Sequence, residues 1–208
     1  MTITDELIRR CPALEPSLSG ILAAYHIIKS CFSSGGKLLI CGSGGSFADA
    51  EHISGELGKG FLKHRPLPEQ MREKLRALGA DGAYLAEALQ MGLPAIPLGL
   101  NALSTAAAND LGGNTLFAQQ VVSLGKPGDV LLGISTSGNS RNVLLAALTA
   151  KAIGMSVIGM TGHNGGKLAD AADALITVEE TETYKVQELH LPIYHALCAM
   201  LEEVFFPI

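Results

Sequence analysis

Two short runs and one spaced pair hold most of the reactive chemistry in this chain. The first run is Cys41-Gly42-Ser43-Gly44-Gly45-Ser46, which leads into the helix-forming stretch from Phe47 through His52 to Ser54. A glycine-rich turn that feeds a helix start presents free backbone N–H groups and a positive dipole end, a setting for an anion such as phosphate. It is not a dinucleotide fingerprint, because Phe47 stands where the third glycine would be, and it lacks the Gly-Lys-Ser/Thr of a Walker loop. Alone, it also reads as a tight turn that binds nothing. The second run, from Gly133 through Ser135, Thr136, Ser137, Gly138 and Asn139 to Ser140, precedes the helix-forming stretch Arg141–Ala152. Ser140 by itself reads as a helix N-cap. Four hydroxyls and a glycine in so few residues exceed what capping needs, and they suit a phosphate held without Lys or Arg.

The pair is His52 and Glu56, four residues apart and therefore one turn apart on one helical face, where a metal ion could bridge them. Late in the chain the stretch Tyr184–His195 adds Gln187, Glu188, His190 and His195 as nitrogen and oxygen donors. Taken singly, each histidine is more often an ordinary helix residue than a ligand. Gln187 and His195 are eight apart, so on one helix their Cα atoms lie about 12 Å from each other. Sharing one ion within one chain is then demanding.

These residues need a scaffold, and short β-rich runs alternating with longer helical patterns supply one: a parallel sheet covered by helices on both faces. The expected strands are Lys37–Cys41, Ala95–Leu98, Val130–Ile134, Ser156–Met160 and Ala174–Val178, and four of them run into Gly-rich or hydroxyl-rich turns. Open α/β sheets bind their ligands at that edge. Helices are expected at about Thr4–Arg10, Leu14–Phe32 and Thr183–Phe205, with apolar faces suited to another subunit. Residues 63–92 break the rhythm as a charged helical insertion, read as a solvated pair of helices or as a lid or interface element.

Composition narrows the classes. The chain has 208 residues, 48% hydrophobic and 17% charged, enough apolar material for one core and a single domain spanning 1–208 with N-terminal helices at 1–34. A formal net charge of -5 supplies no basic field, so a nucleic-acid partner is not expected. With 24 Gly and no Trp, the composition suits close backbone approach to small polar or phosphorylated ligands. Cys11, Cys31, Cys41 and Cys198 form no metal or disulfide spacing and read as buried reduced thiols. No export signal or membrane-length apolar run is seen, so a cytoplasmic protein without a membrane partner is expected.

Read together, the residues resemble the sugar isomerase (SIS) domain family, and within it the phosphoheptose isomerases. The resemblance is carried by Gly42–Ser46 with Asp49, His52 and Glu56, by Leu93–Ile96, by Ala108-Asn109-Asp110, and by the run Lys126–Ser140. It continues through Thr161–Lys167 and Val186-Gln187-Glu188-Leu189-His190 with His195. It covers nearly the whole chain outside 63–92.

The resemblance implies a three-layer α-β-α sandwich with a five-stranded parallel sheet, flavodoxin-like. It implies a ketose–aldose isomerase acting on sedoheptulose 7-phosphate to give D-glycero-D-manno-heptose 7-phosphate, the first step of heptose precursor biosynthesis. Ser43, Gly44, Gly45, Ser46, Ser135, Thr136, Ser137 and Ser140 become phosphate and sugar ligands, with Asn109, Asp110, Glu56 and Gln187 also contacting substrate. Zinc ligands map to His52, Glu56, Gln187 and His195, with Glu188 and His190 as fallbacks, and the acid/base pair maps to Glu56 and His195. A homotetramer with active sites at subunit interfaces follows from the same resemblance. Ser43 in place of a common Asn, Tyr184 before the Gln, and the 63–92 insertion depart from the usual pattern and bear on which sugar is recognised. The alternative reading is a non-catalytic SIS protein, either a phosphosugar sensor or a replication-initiation regulator; that regulator lacks the Glu and final His present here as Glu56 and His195.

Overall fold

Both faces of the sheet are covered, which is why its strands are continuous apolar runs rather than alternating ones. In the computed structural model, which describes residues 1–99 and 101–207, β1 (Leu38–Cys41), β2 (Ala95–Leu98), β3 (Val130–Ser135), β4 (Ser156–Thr161) and β5 (Ala174–Thr177) form one parallel sheet. Every residue of β1 and β3 is buried. The helices are α1 (Ile3–Arg10), α2 (Leu18–Ser33), α3 (Gly45–Gly58), α4 (Glu69–Arg76), α5 (Ala80–Ala88), α6 (Ala102–Asp110), α7 (Leu116–Leu124), α8 (Arg141–Ile153), α9 (Leu168–Ala171) and α10 (Thr183–Phe205).

The strand pleat sorts the core into two layers. Leu38, Ile40, Leu132 and Ile134 join residues of α1, α2, α3 and α10 on one face. Leu39, Cys41 and Leu131 join α7, α8 and α9 on the other. The three-layer α/β architecture with five parallel strands is therefore as expected.

The strand order β2-β1-β3-β4-β5 has one switch point. From β1 the chain crosses to β2 on one side, and from β3 it crosses to β4 on the other, so the loops leaving β1 and β3 diverge around a crevice. Cys41 is in register with Gly133. The two Ser/Gly-rich loops thus leave the same sheet edge as neighbours.

Each strand lies within one residue of its expected bounds at either end. The second helix does not. Pro12 and Pro16 hold Pro12–Ser17 in a 3-10 turn, and α2 begins only at Leu18, because Pro16 offers no N–H and its ring crowds an α-helix interior. The insertion is a helical hairpin, α4 and α5, on which Arg72 and Arg76 each pair with both Glu69 and Glu87 at 2.6–2.8 Å. No residue of α4 is buried. An isolated antiparallel bridge between Pro66 and Gln90 closes the base of the hairpin. All four cysteines are free; Cys31, Cys41 and Cys198 are buried as expected, but Cys11 only partly.

Candidate functional site

The first loop turns on Gly44, whose φ of 60° is left-handed and open to glycine without strain, and α3 begins at the next residue. The second loop turns on Gly138, with φ 64°, and leads to α8. Two helix N-termini therefore stand at the switch-point edge, where their dipoles favour an anion. Asn142 on α8 joins the loops, its Nδ2 donating to Ser43 Oγ at 2.9 Å. A cavity of about 200 Å³ opens there, lined by Gly42, Ser43, Gly44, Phe47, Gly99 and Asn142 among others.

The loop hydroxyls divide by exposure. Ser43 and Ser137 are exposed, as are the backbones of Gly44 and Gly45, while Thr136 and Ser140 are half-buried. Ser46 and Ser135 are buried. Ser135 Oγ donates to Ser140 Oγ at 3.0 Å. Ser140 occupies the N-cap position of α8 yet makes no side-chain capping bond, so its hydroxyl is held by Ser135 at the end of β3 rather than by the helix.

A second constellation lies further along α3, where it packs on α10. His52 Nε2 is 3.1 Å from Glu56 Oε1 and 3.5 Å from His195 Nε2. The His52 and His195 rings meet edge to face with centroids 4.9 Å apart, and Phe61 covers His195 at 5.5 Å. Tyr194, buried, places its hydroxyl 3.0 Å from His52 Nδ1 and donates to Asp49 Oδ1 at 3.3 Å. Burial, helped by the neighbouring His52, pushes the His195 imidazole below its ordinary value, so it is neutral near pH 7. Burial also raises the Asp49 carboxyl, against the Tyr194 hydrogen bond that lowers it. His195 opens onto a cavity of about 570 Å³ between α1 and α10, which Arg10 and Glu188 also line.

Two imidazoles and a carboxylate, with His52 Nε2 beside both Glu56 and His195, are the donor types of a catalytic zinc site. In donor chemistry, His52, Glu56 and His195 fit that ion. The arrangement is not a closed cage: among the described residues no three His, Cys, Asp or Glu side chains are set to hold a metal ion.

Gln187 lies elsewhere. A methyl group on Gly45 would come within 2.5 Å of Gln187 Nε2, so this amide sits against the start of α3, two turns of α10 away from His195. Helices α3 and α10 run side by side in the same direction, pairing Gly45 with Gln187 at one end and His52 with His195 at the other. Of the fallback donors, His190 is fully buried with Nε2 3.3 Å from the Thr161 carbonyl, and burial pushes its pKa down to about 4. Glu188 is exposed. Asn109 and Asp110 end α6, exposed, with the Asn109 amide donating to the Asp110 carboxylate at 2.7 Å.

Sequence reasoning did not assign Asn142, Phe61 or Tyr194 to the site. Tyr194 carried a signal: a buried tyrosine needs a partner for its hydroxyl, and it adjoins His195. Asn142 and Phe61 carried none, since their roles depend on how separate elements meet.

A family model described as SIS domain matches residues 5–80 and 80–162. The chain is similar to the phosphoheptose isomerase of Crocosphaera subtropica, 43% identical over 94% of this chain and 84% of the relative. It is 39% identical to the phosphoheptose isomerase of Rhodospirillum rubrum, over 88% of this chain and 85% of that one. Among solved structures, the phosphoheptose isomerase of Neisseria gonorrhoeae superposes with a TM-score of 0.75 at 33% identity, covering 96% of this chain and 95% of that one.

Proposed function

We propose that this chain, which belongs to the SIS-domain family and within it to the phosphoheptose isomerases, interconverts sedoheptulose 7-phosphate and D-glycero-D-manno-heptose 7-phosphate. It is an aldose–ketose isomerase. The observation that carries the chemistry is that His52 lies beside both Glu56 and His195 where α10 packs on α3, the helix that starts from the phosphate-suited loop.

Moving the carbonyl between C1 and C2 requires one base for a carbon-bound proton and one group to manage the proton on oxygen. Glu56, reaching the centre from α3, takes the proton from C1 of the ketose and returns it to C2. His195, neutral near pH 7, exchanges a proton with the substrate oxygens. The loops at 43–46 and 135–140 hold the phosphate through hydroxyls, amides and helix ends. Along α3, His52 lies about 10 Å from Gly45 at 1.5 Å per residue, which suits an extended seven-carbon phosphate ester. Fixing the distant phosphate keeps the reacting end in register, and that remote binding energy favours the transition state.

His52, Glu56 and His195 would hold zinc, with Gln187 of a second copy as the fourth donor. If bound, the ion would supply Lewis-acid polarisation of the substrate carbonyl. Asn109 and Asp110 approach sugar hydroxyls from a neighbouring copy in a homotetramer whose sites lie between subunits. The separation of Gln187 from His195 within one chain supports such an assembly. Among the described residues no helix is long and apolar enough to cross a membrane, which is consistent with a cytoplasmic enzyme.

The test is to supply sedoheptulose 7-phosphate to zinc-replete protein, follow the aldose, and assay the purified protein for metal. Turnover supports the proposal. Ligand binding without turnover in any metal form would favour a phosphosugar sensor instead.

A further inference from the structure

We infer that Asp49 and Tyr194 form a positioning dyad that fixes the tautomer of His52, so that its Nε2 lone pair faces Glu56 and His195. The inference deepens the reading of His52 as a donor at the reaction centre and rests on that reading for its consequence, though not for its geometry.

Tyr194 has one hydroxyl proton and two neighbours that could take it. Its oxygen is 3.0 Å from His52 Nδ1 and 3.3 Å from Asp49 Oδ1. The other oxygen, Asp49 Oδ2, is buried with no hydrogen-bond partner. If the phenol turned its proton toward His52, Asp49 Oδ1 would lose its partner while Oδ2 already has none, leaving both oxygens of a partly buried carboxyl group unpaired, a costly arrangement. The proton therefore goes to Asp49. The phenol oxygen is then an acceptor, and it takes the Nδ1–H of His52. Neutral imidazole carries one N–H, so Nε2 is left with its lone pair.

That lone pair lies 3.1 Å from the Glu56 carboxylate oxygen, with His195 Nε2 at 3.5 Å. A lone pair and a carboxylate oxygen facing one another at 3.1 Å call for a shared proton or a cation between them. Orienting a ligand histidine through its far nitrogen is the usual task of groups just outside a metal centre. Asp49 stands three residues before His52 on α3, and Tyr194 immediately precedes His195 on α10. The dyad thereby also ties the two helices that carry the donors. The unpaired Asp49 Oδ2 is a cost that stability alone does not explain.

The tautomer is read directly from the ring ¹⁵N shifts of His52 before zinc is added. The wild type should show Nδ1 protonated. In Asp49→Ala the phenol is released to donate to Nδ1, so the proton should move to Nε2. Tyr194→Phe keeps the buried ring and removes only the hydroxyl, so it should give a mixture of the two forms. Both variants should bind zinc about 10- to 100-fold more weakly in chelator competition, and kcat should fall with KM little changed. An unchanged His52 tautomer in Asp49→Ala would overturn the inference. So would wild-type zinc affinity in Tyr194→Phe. A wild type that shows the expected tautomer but neither binds zinc nor turns over substrate would refute the functional reading and leave the dyad standing.

Discussion

Asn142 is a residue whose importance follows from a single bond. Its Nδ2 holds Ser43 Oγ at 2.9 Å across the crevice, and a hydrogen bond of this kind contributes about 1 kcal/mol net. Asn142→Ala should therefore raise KM for the phosphosugar roughly 5- to 10-fold while kcat changes little, as steady-state kinetics would show. Gly138 is constrained more severely. Its φ is 64°, and a Cβ there would meet the Gly165 carbonyl oxygen at 1.9 Å. Gly138→Ala should cost at least ~1–3 kcal/mol in denaturant unfolding. At this scale the sequence was legible wherever local period decides: the four-residue spacing of His52 and Glu56 does put Nε2 and Oε1 3.1 Å apart. It was not legible for Gln187, whose seat on Gly45 depends on the register between α3 and α10. Nor was it legible for His190, which only burial distinguishes from a ligand.

At the scale of elements, the C-terminal turn of α3 is held from outside. Arg65, fully buried, donates through Nη1 to the Leu57 carbonyl at 2.8 Å and through Nη2 to the Glu56 carbonyl at 3.1 Å, while Nε meets Glu202 at 2.7 Å. Glu202 in turn accepts from the backbone N–H of Phe61 and Leu62, each at 2.8 Å. Burial alone would raise the Glu202 carboxyl, but these N–H donors and Arg65 hold it below its usual range. One ion pair thus fixes Glu56 from below and the Phe61 wall of His195 from the side. Arg65→Met leaves Glu202 buried and uncompensated, which should cost ~3–5 kcal/mol, visible as a large fall in Tm. Strand positions were readable because runs such as Leu38–Cys41 are apolar on both faces and bounded by turn residues. The break at Pro16 was readable in principle from its missing N–H. The bridge between Pro66 and Gln90 was not, since it joins residues on either side of a hairpin that the sequence marks only as charged and helical.

For the whole molecule, the strand order brings two separate loops together at one sheet edge. Neither loop alone distinguishes a ligand cradle from a plain turn; their meeting at the switch point between β1 and β3 is what suits a ligand, and that neighbourhood is a property of topology rather than of either run. Global stability also carries a pH signature. His190 has a folded pKa of about 4 against an ordinary 6.5, because burial disfavours its charged form. Between these values the unfolded chain binds a proton that the folded chain refuses, so stability falls as pH drops from about 6.5 toward 4. The full loss is about 3 kcal/mol at 1.4 kcal/mol per pKa unit. Unfolding free energy measured across this window should decline in the wild type, and His190→Gln should flatten that part of the decline. The central claim is that Glu56 moves the carbon-bound proton. It is tested most directly by incubating sedoheptulose 7-phosphate in D2O with the wild type and with Glu56→Gln, then measuring deuterium at C2 of the aldose. The wild type should incorporate deuterium, and Glu56→Gln should lose turnover and incorporation by at least ~100-fold while still being stabilised by the sugar phosphate. Wild-type incorporation by Glu56→Gln would contradict the assignment.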